Sequence, residues 1–72
     1  MLIDDIKLRL RAAIKDSGLS QKEIAKRVGV HPSTVSKYVR MEKYPSIDTF
    51  AELCRAIGAS SDRILGLANS LE

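Results

Sequence analysis

Apolar residues recur at helical spacing along most of this chain, and no stretch alternates apolar and polar as a half-buried strand would. The first pattern runs from about Ile3 to Ser17, with Ile6, Leu10, Ala13 and Ile14 on one face, and Gly18 is placed to end it. Ser20 stands as the cap of a second helix, and Glu23 three residues on completes a capping box. That helix closes at Val28–Gly29. His31-Pro32 opens a third, because proline suits a first helical position where an N–H has no intrahelical partner. The third helix extends to about Arg40 and gives way to the irregular stretch MEKYP. Ser46 is then expected to cap a fourth helix reaching about Ile57, its inward face formed by Ile47, Phe50, Ala51, Leu53, Cys54 and Ile57, with Gly58 as its stop. Ser60 or Ser61 caps a short fifth helix that turns Ile64 and Leu65 inward. The expected architecture is a compact all-α bundle of five helices in one domain, residues 1–67. Residues 68–72 read as a frayed tail, with a cloning remnant as the other reading of its end.

The most informative segment is Ser20 to Arg40, SQKEIAKRVGVHPSTVSKYVR: a short helix, a tight turn at Gly29, and a second helix. Ile24, Ala25, Val28, Val30, Val35 and Tyr38 are apolar or small, whereas Lys22, Lys26, Arg27, Ser33, Ser36, Lys37 and Arg40 are polar or cationic. One side is therefore buried and the other basic. A unit of that shape can lay its second helix in the major groove of DNA.

Charge sharpens this picture. Net charge is only +3, but between Ser20 and Pro45 six cations (Lys22, Lys26, Arg27, Lys37, Arg40, Lys43) face two acids (Glu23, Glu42). The remainder holds six cations against seven acids, so all of the excess sits on the two-helix unit and the loop after it. A polyanionic partner is the expectation. Length and composition fit one small soluble domain. Cys54 is the single cysteine, which rules out an intrachain disulfide and fits a cytoplasmic setting. No apolar run approaches a membrane span, and no membrane partner is expected.

With these residues in view, the chain resembles the Cro/repressor-type (XRE-type) helix-turn-helix family of small bacterial and phage DNA-binding domains. The resemblance runs from about Ile6 to Leu65, through SQKEIA, VGVHPSTVSKY, YPSIDTFAELCRAIG and SSDRIL. It implies a bundle of the phage-repressor type, with the helix-turn-helix formed by helices 2 and 3. Each small or apolar residue of the unit has a geometric reason: Ala25 lies where the two helices cross, and Gly29 supplies a turn conformation costly to other residues.

Two positions depart from the family's pattern. Ile14 and Val39 stand where members often carry an arginine and a glutamate that pair. An apolar pair of suitable shape can replace such an ion pair without loss, so the two are expected to meet in the core. Met41 stands where the family usually has glycine. That substitution puts in doubt the exit from the recognition helix and the loop carrying Lys43 and Tyr44.

The resemblance also implies roles. Pro32, Ser33, Ser36 and Lys37 lie on the third helix away from Val35 and Tyr38 and are the base-reading set. Lys37 can donate to guanine O6 or N7, the two serines discriminate weakly, and Pro32 can only meet a thymine methyl or shape the helix start. Gln21, flanked by Ser20 and Lys22, is placed to anchor a phosphate at the start of the second helix. His31, Thr34, Arg40 and Lys43 complete the phosphate set, which fixes register without reading sequence. As a metal ligand His31 has no companions, and no cofactor or metal is expected. A globule of this length is about 30 Å across and half-sites in this class lie about 34 Å apart, so one copy should not cover both and two are expected on double-stranded DNA. Leu8, Leu67 or Leu71 could belong to a dimer contact.

No nucleophile–base pair, metal cluster or glycine-rich phosphate loop points to an enzyme. Cys54, on an apolar face, reads as a packing residue. The expected function is a sequence-specific transcriptional regulator, acting as a repressor dimer on a near-palindromic site. Phage-type repressor, restriction–modification controller, antitoxin and detached domain of a larger regulator stay open within it. The rival is a protein-interaction module with this fold and only nonspecific DNA affinity.

Overall fold

In a computed structural model describing residues 3–67, the chain folds as five helices: α1 (Ile3–Asp16), α2 (Gln21–Val28), α3 (Pro32–Val39), α4 (Ile47–Ile57) and α5 (Ser61–Leu65). The tail residues 68–72, Leu71 among them, lie outside the described part. The globule measures 36 × 22 × 21 Å. Leu10, Ile14, Ile24, Ala25, Val35, Tyr38, Leu53, Cys54 and Ile64 form one buried cluster to which every helix contributes. Ile24, Leu53 and Val35 are its largest fully enclosed side chains. Burial holds the Tyr38 hydroxyl and the Cys54 thiol above their ordinary pKa, because an ion would be poorly solvated there.

Helix ends follow from local chemistry. Ser20 Oγ accepts the Glu23 N–H at 3.0 Å, and Ser60 Oγ accepts that of Arg63 at 3.3 Å. The expected capping box at Ser20 is only half made, because the Glu23 carboxylate pairs forward with Arg27 at 3.0 Å. Ser46 holds the cap position of α4 but makes no side-chain bond to a backbone N–H. Its hydroxyl is spent instead on Asp48 Oδ1 at 2.6 Å and Thr49 Oγ1 at 3.0 Å. The bond from Ser46 holds the Asp48 carboxyl below its usual range.

The inward face of α4 is narrower than the sequence pattern implied. Phe50, Leu53, Cys54 and Ile57 face the core, while Ile47 is 89% exposed and Ala51 is also exposed. At about 100° per residue, Ala51 falls well outside the arc that the other four define. Ile47, at the first position, projects to the rim of an open apolar groove of about 390 Å³ beside Ile3, Ile6, Tyr44 and Phe50.

Ile14 is 3% exposed and Val39 packs half-buried against the same cluster, where α1 meets α3. Ile14 thus lies in the core and Val39 at its edge, and at neither position does a charge have to be desolvated.

Met41 takes φ 62°, among the described residues the sole positive value outside glycine. Its N–H bonds to Tyr38 O at 3.1 Å and the Glu42 N–H to Lys37 O at 2.9 Å, the paired closure of a Schellman ending. The doubt raised by the missing glycine is thereby resolved: the usual helix exit is kept, and Met41 adopts the left-handed backbone in glycine's place. That conformation costs a residue with a Cβ about 1–2 kcal/mol. We expect Met41→Gly to raise unfolding free energy by about 1 kcal/mol, after allowing for the freer unfolded chain. Urea denaturation checks it against Met41→Ala, which removes the same side chain but keeps the strain and should not stabilise.

Candidate DNA-binding surface

The helix-turn-helix is built on one carbonyl. Ala25 O accepts the N–H of Gly29 at 2.8 Å and of Val30 at 3.0 Å, which closes α2 and reverses the chain. Gly29 sits at φ 86°, and a Cβ built there meets nothing within 4 Å. Glycine is needed at the turn for its backbone conformation, not for space. Behind the turn, Ile24, Ala25, Val35 and Tyr38 lock α2 against α3, with Ala25 only 1% exposed at the crossing. The face of α3 half a turn away is left to solvent.

That face carries the four residues expected to read bases. Pro32, Ser33 and Lys37 are exposed and Ser36 is half-buried. Pro32 begins the helix, and His31 caps it: Nδ1 accepts the Ser33 N–H at 3.1 Å and also meets Ser33 Oγ at 2.8 Å. His31 is therefore occupied with the helix start, although it remains exposed. One turn on, Arg40 Nη1 donates to Ser36 Oγ at 2.7 Å. The same guanidinium donates through Nε to Glu42 Oε2 at 2.8 Å and through Nη2 to Oε1 at 3.4 Å. The Arg40 bond holds the Glu42 carboxyl below the ordinary carboxylate range. The structure thus joins a proposed base reader, Ser36, to a proposed phosphate contact, Arg40, through an acid that sequence reasoning gave no role. Their i, i+4 spacing, with the acid two residues beyond, was the signal that could have found the trio.

The other residues expected to meet phosphates are less engaged by internal bonds. Gln21 and Lys22 are exposed in the first turn of α2, where backbone N–H groups are free of helical partners. Ser20 accepts from Glu23, which leaves its O–H to donate. Thr34 is half-buried, its N–H bonded to His31 O at 2.9 Å. Lys43 is exposed in the loop after α3. That loop is pinned from α1: Lys7 Nζ reaches Met41 O at 3.5 Å and stands 5.3 Å from the centre of the Tyr44 ring.

Both acids of the segment are tied to arginines, Glu23 to Arg27 and Glu42 to Arg40. Lys22, Lys26, Lys37 and Lys43 make no ion pair among the described residues. Lysines without an ion pair among the described residues therefore carry the excess positive charge of this segment. Such charges are well hydrated and free to meet phosphates.

No three of His, Cys, Asp or Glu are grouped to hold a metal among the described residues, and no described helix is long and apolar enough to cross a membrane.

These features define a helix-turn-helix domain. The helix-turn-helix family model matches residues 10–64, and the chain belongs to that family. It is also 33% identical over 58 residues to the HTH-type transcriptional regulator ImmR of Bacillus subtilis (strain 168), a stretch covering 81% of this chain and 46% of that protein. The chain thus spans about half the length of this curated relative. No solved structure matches it closely.

Proposed function

We propose that this chain is a sequence-specific DNA-reading domain of a transcriptional regulator, placing α3 in the major groove and acting as a repressor. The observation that carries the proposal is the division of α3: Val35 and Tyr38 are buried, and the opposite side presents Pro32, Ser33, Ser36 and Lys37 to solvent. Lys22, Lys26, Lys37 and Lys43 make no ion pair among the described residues, which leaves their charges available to neutralise phosphates. Kinship with a protein described as an HTH-type transcriptional regulator supports the regulatory role.

Lys37 supplies the strongest base contact and Ser33 and Ser36 the weaker ones. Gln21, Lys22, Lys43, Ser20, Thr34 and Arg40 fix the register on phosphates, and His31 acts mainly by holding the first turn of α3. A dimer on a near-palindromic site follows from the number of reading helices. The long dimension of 36 Å is close to the separation of half-sites, so size alone does not require two copies. Each chain, however, offers one α3, and two successive major-groove segments need two.

Selection of bound duplexes from a random library at physiological salt tests this reading. The expected result is enrichment of two inverted half-sites about 10 base pairs apart, centre to centre. A library that stays flat, with binding that vanishes as salt rises, would reject sequence reading and leave the protein-interaction module as the better account.

A further inference from the structure

A serine hydroxyl is ambiguous to a base edge, since it offers one donor and two acceptor lone pairs. The two serines on the outer face of α3 are less free than that. At Ser33 the neighbouring ring nitrogen, His31 Nδ1, accepts the Ser33 backbone N–H at 3.1 Å. It therefore presents a lone pair, and its 2.8 Å contact with Ser33 Oγ is donated by the hydroxyl. With its proton spent on His31, the Ser33 oxygen can only accept from outside. Ser36 is arranged the other way. Arg40 Nη1 donates to Ser36 Oγ at 2.7 Å, and a guanidinium has no acceptor with which to take a proton in return. Ser17 sends its hydroxyl to the Ile14 carbonyl at 2.7 Å, but Ser36 makes no bond to a backbone carbonyl among the described residues. Its proton therefore has no internal acceptor among the described residues. Glu42 holds the guanidinium in place by gripping Nε and Nη2, which keeps Nη1 on the serine.

We infer that His31 and the Arg40–Glu42 pair are specificity-positioning residues, which fix Ser33 as an acceptor and Ser36 as a donor toward the bases. This rests on the DNA-reading proposal above and deepens it. In the major groove cytosine N4 and adenine N6 are donors, whereas guanine N7 and O6, adenine N7 and thymine O4 are acceptors. On the strand each serine touches, Ser33 selects cytosine or adenine against guanine and thymine. Ser36 selects against cytosine alone. Two residues that look interchangeable in sequence thus read opposite polarities, and Glu42 governs specificity without touching DNA.

The test combines the free chain with the random-duplex library. By nitrogen NMR of the free protein, His31 should carry its proton on Nε2, and the Arg40 Nε–H should exchange slowly and lose that protection in Glu42→Ala. In the library, wild type should disfavour cytosine about fivefold at one position of each half-site, the worth of a single hydrogen bond. Ser36→Ala, Arg40→Met and Glu42→Ala should all relax that same position, while Ser33→Ala relaxes a different one. Arg40→Met also removes a cation and Glu42→Ala an anion, so their overall affinities should move in opposite directions while their base profiles change together. A role in charge or folding alone would shift all sequences equally and leave the profile intact. The inference is overturned if His31 carries its proton on Nδ1. It is overturned equally if Arg40→Met and Glu42→Ala leave the position relaxed by Ser36→Ala unchanged. A flat wild-type library rejects the DNA-reading proposal and this inference together, whereas a clear motif indifferent to Arg40 and Glu42 rejects this inference alone.

Discussion

Ile24→Ala is expected to destabilise the fold by about 3 kcal/mol, within the usual cost of emptying a well-packed aliphatic site. Ile24 is fully buried, at 0% exposure, in the cluster that joins α2, α3 and α4. The cavity would open where the two helices of the reading unit meet, and neither can shift without losing Ala25 or Val35 from the contact. For a domain this short, that loss corresponds to a fall of about 15 °C in melting temperature. It is also a large share of the roughly 5–10 kcal/mol that small domains possess. Thermal unfolding followed by circular dichroism checks it. Ala51→Ser provides the contrast: Ala51 is exposed on α4, so its change should stay within about 0.5 kcal/mol. Equal effects at the two sites would mean the core has been misplaced.

Lys37→Met is expected to reduce affinity for the selected duplex by about 10- to 100-fold while leaving affinity for unrelated DNA much less changed. Lys37 is exposed on the outer face of α3 and has no ion-pair partner among the described residues, so its ammonium can reach a guanine edge without breaking an internal bond. Lys43→Met should behave differently. Lys43 lies in the loop after α3 and is proposed to contact backbone phosphate, so all sequences should weaken together and the salt slope should fall by about one. Titrations of matched and scrambled duplexes at several salt concentrations separate the two. If Lys37→Met also weakens both duplexes in parallel, Lys37 is a phosphate contact and the specificity of α3 rests on its serines.

Much of the fold was legible because helices in a chain this short are punctuated by residues with strong local preferences. Gly18, Gly29 and Gly58 all take positive φ just past helix ends, and Ser20, His31-Pro32 and Ser60 open helices as their chemistry requires. The central apolar positions, Leu10, Ile14, Ile24, Val35, Leu53 and Ile64, are buried because their spacing leaves no other face to hide. The pattern failed at the ends of faces. Ile47 looked like core by hydrophobicity, yet it occupies the first turn of α4, beyond the neighbours that would cover it. Side-chain bonding was least legible, because several partners compete within one turn. Glu23 could have closed the capping box but found Arg27, and Ser46 could have capped α4 but found Asp48 and Thr49.

The sequence by itself determined the helical punctuation, the two-helix reading unit and the excess of cations upon it, since these depend on residue types at fixed spacing. Tertiary structure alone decided how the loop after α3 is held, since Lys7 reaches Met41 O and the Tyr44 ring from α1. Side-chain geometry in the folded chain likewise decided that Arg40 bridges Ser36 and Glu42, and that the Ser33 hydroxyl meets His31 Nδ1. A linear pattern says which groups are near enough to bond. Which of the available donors and acceptors pair is settled only when packing fixes their positions and directions in space.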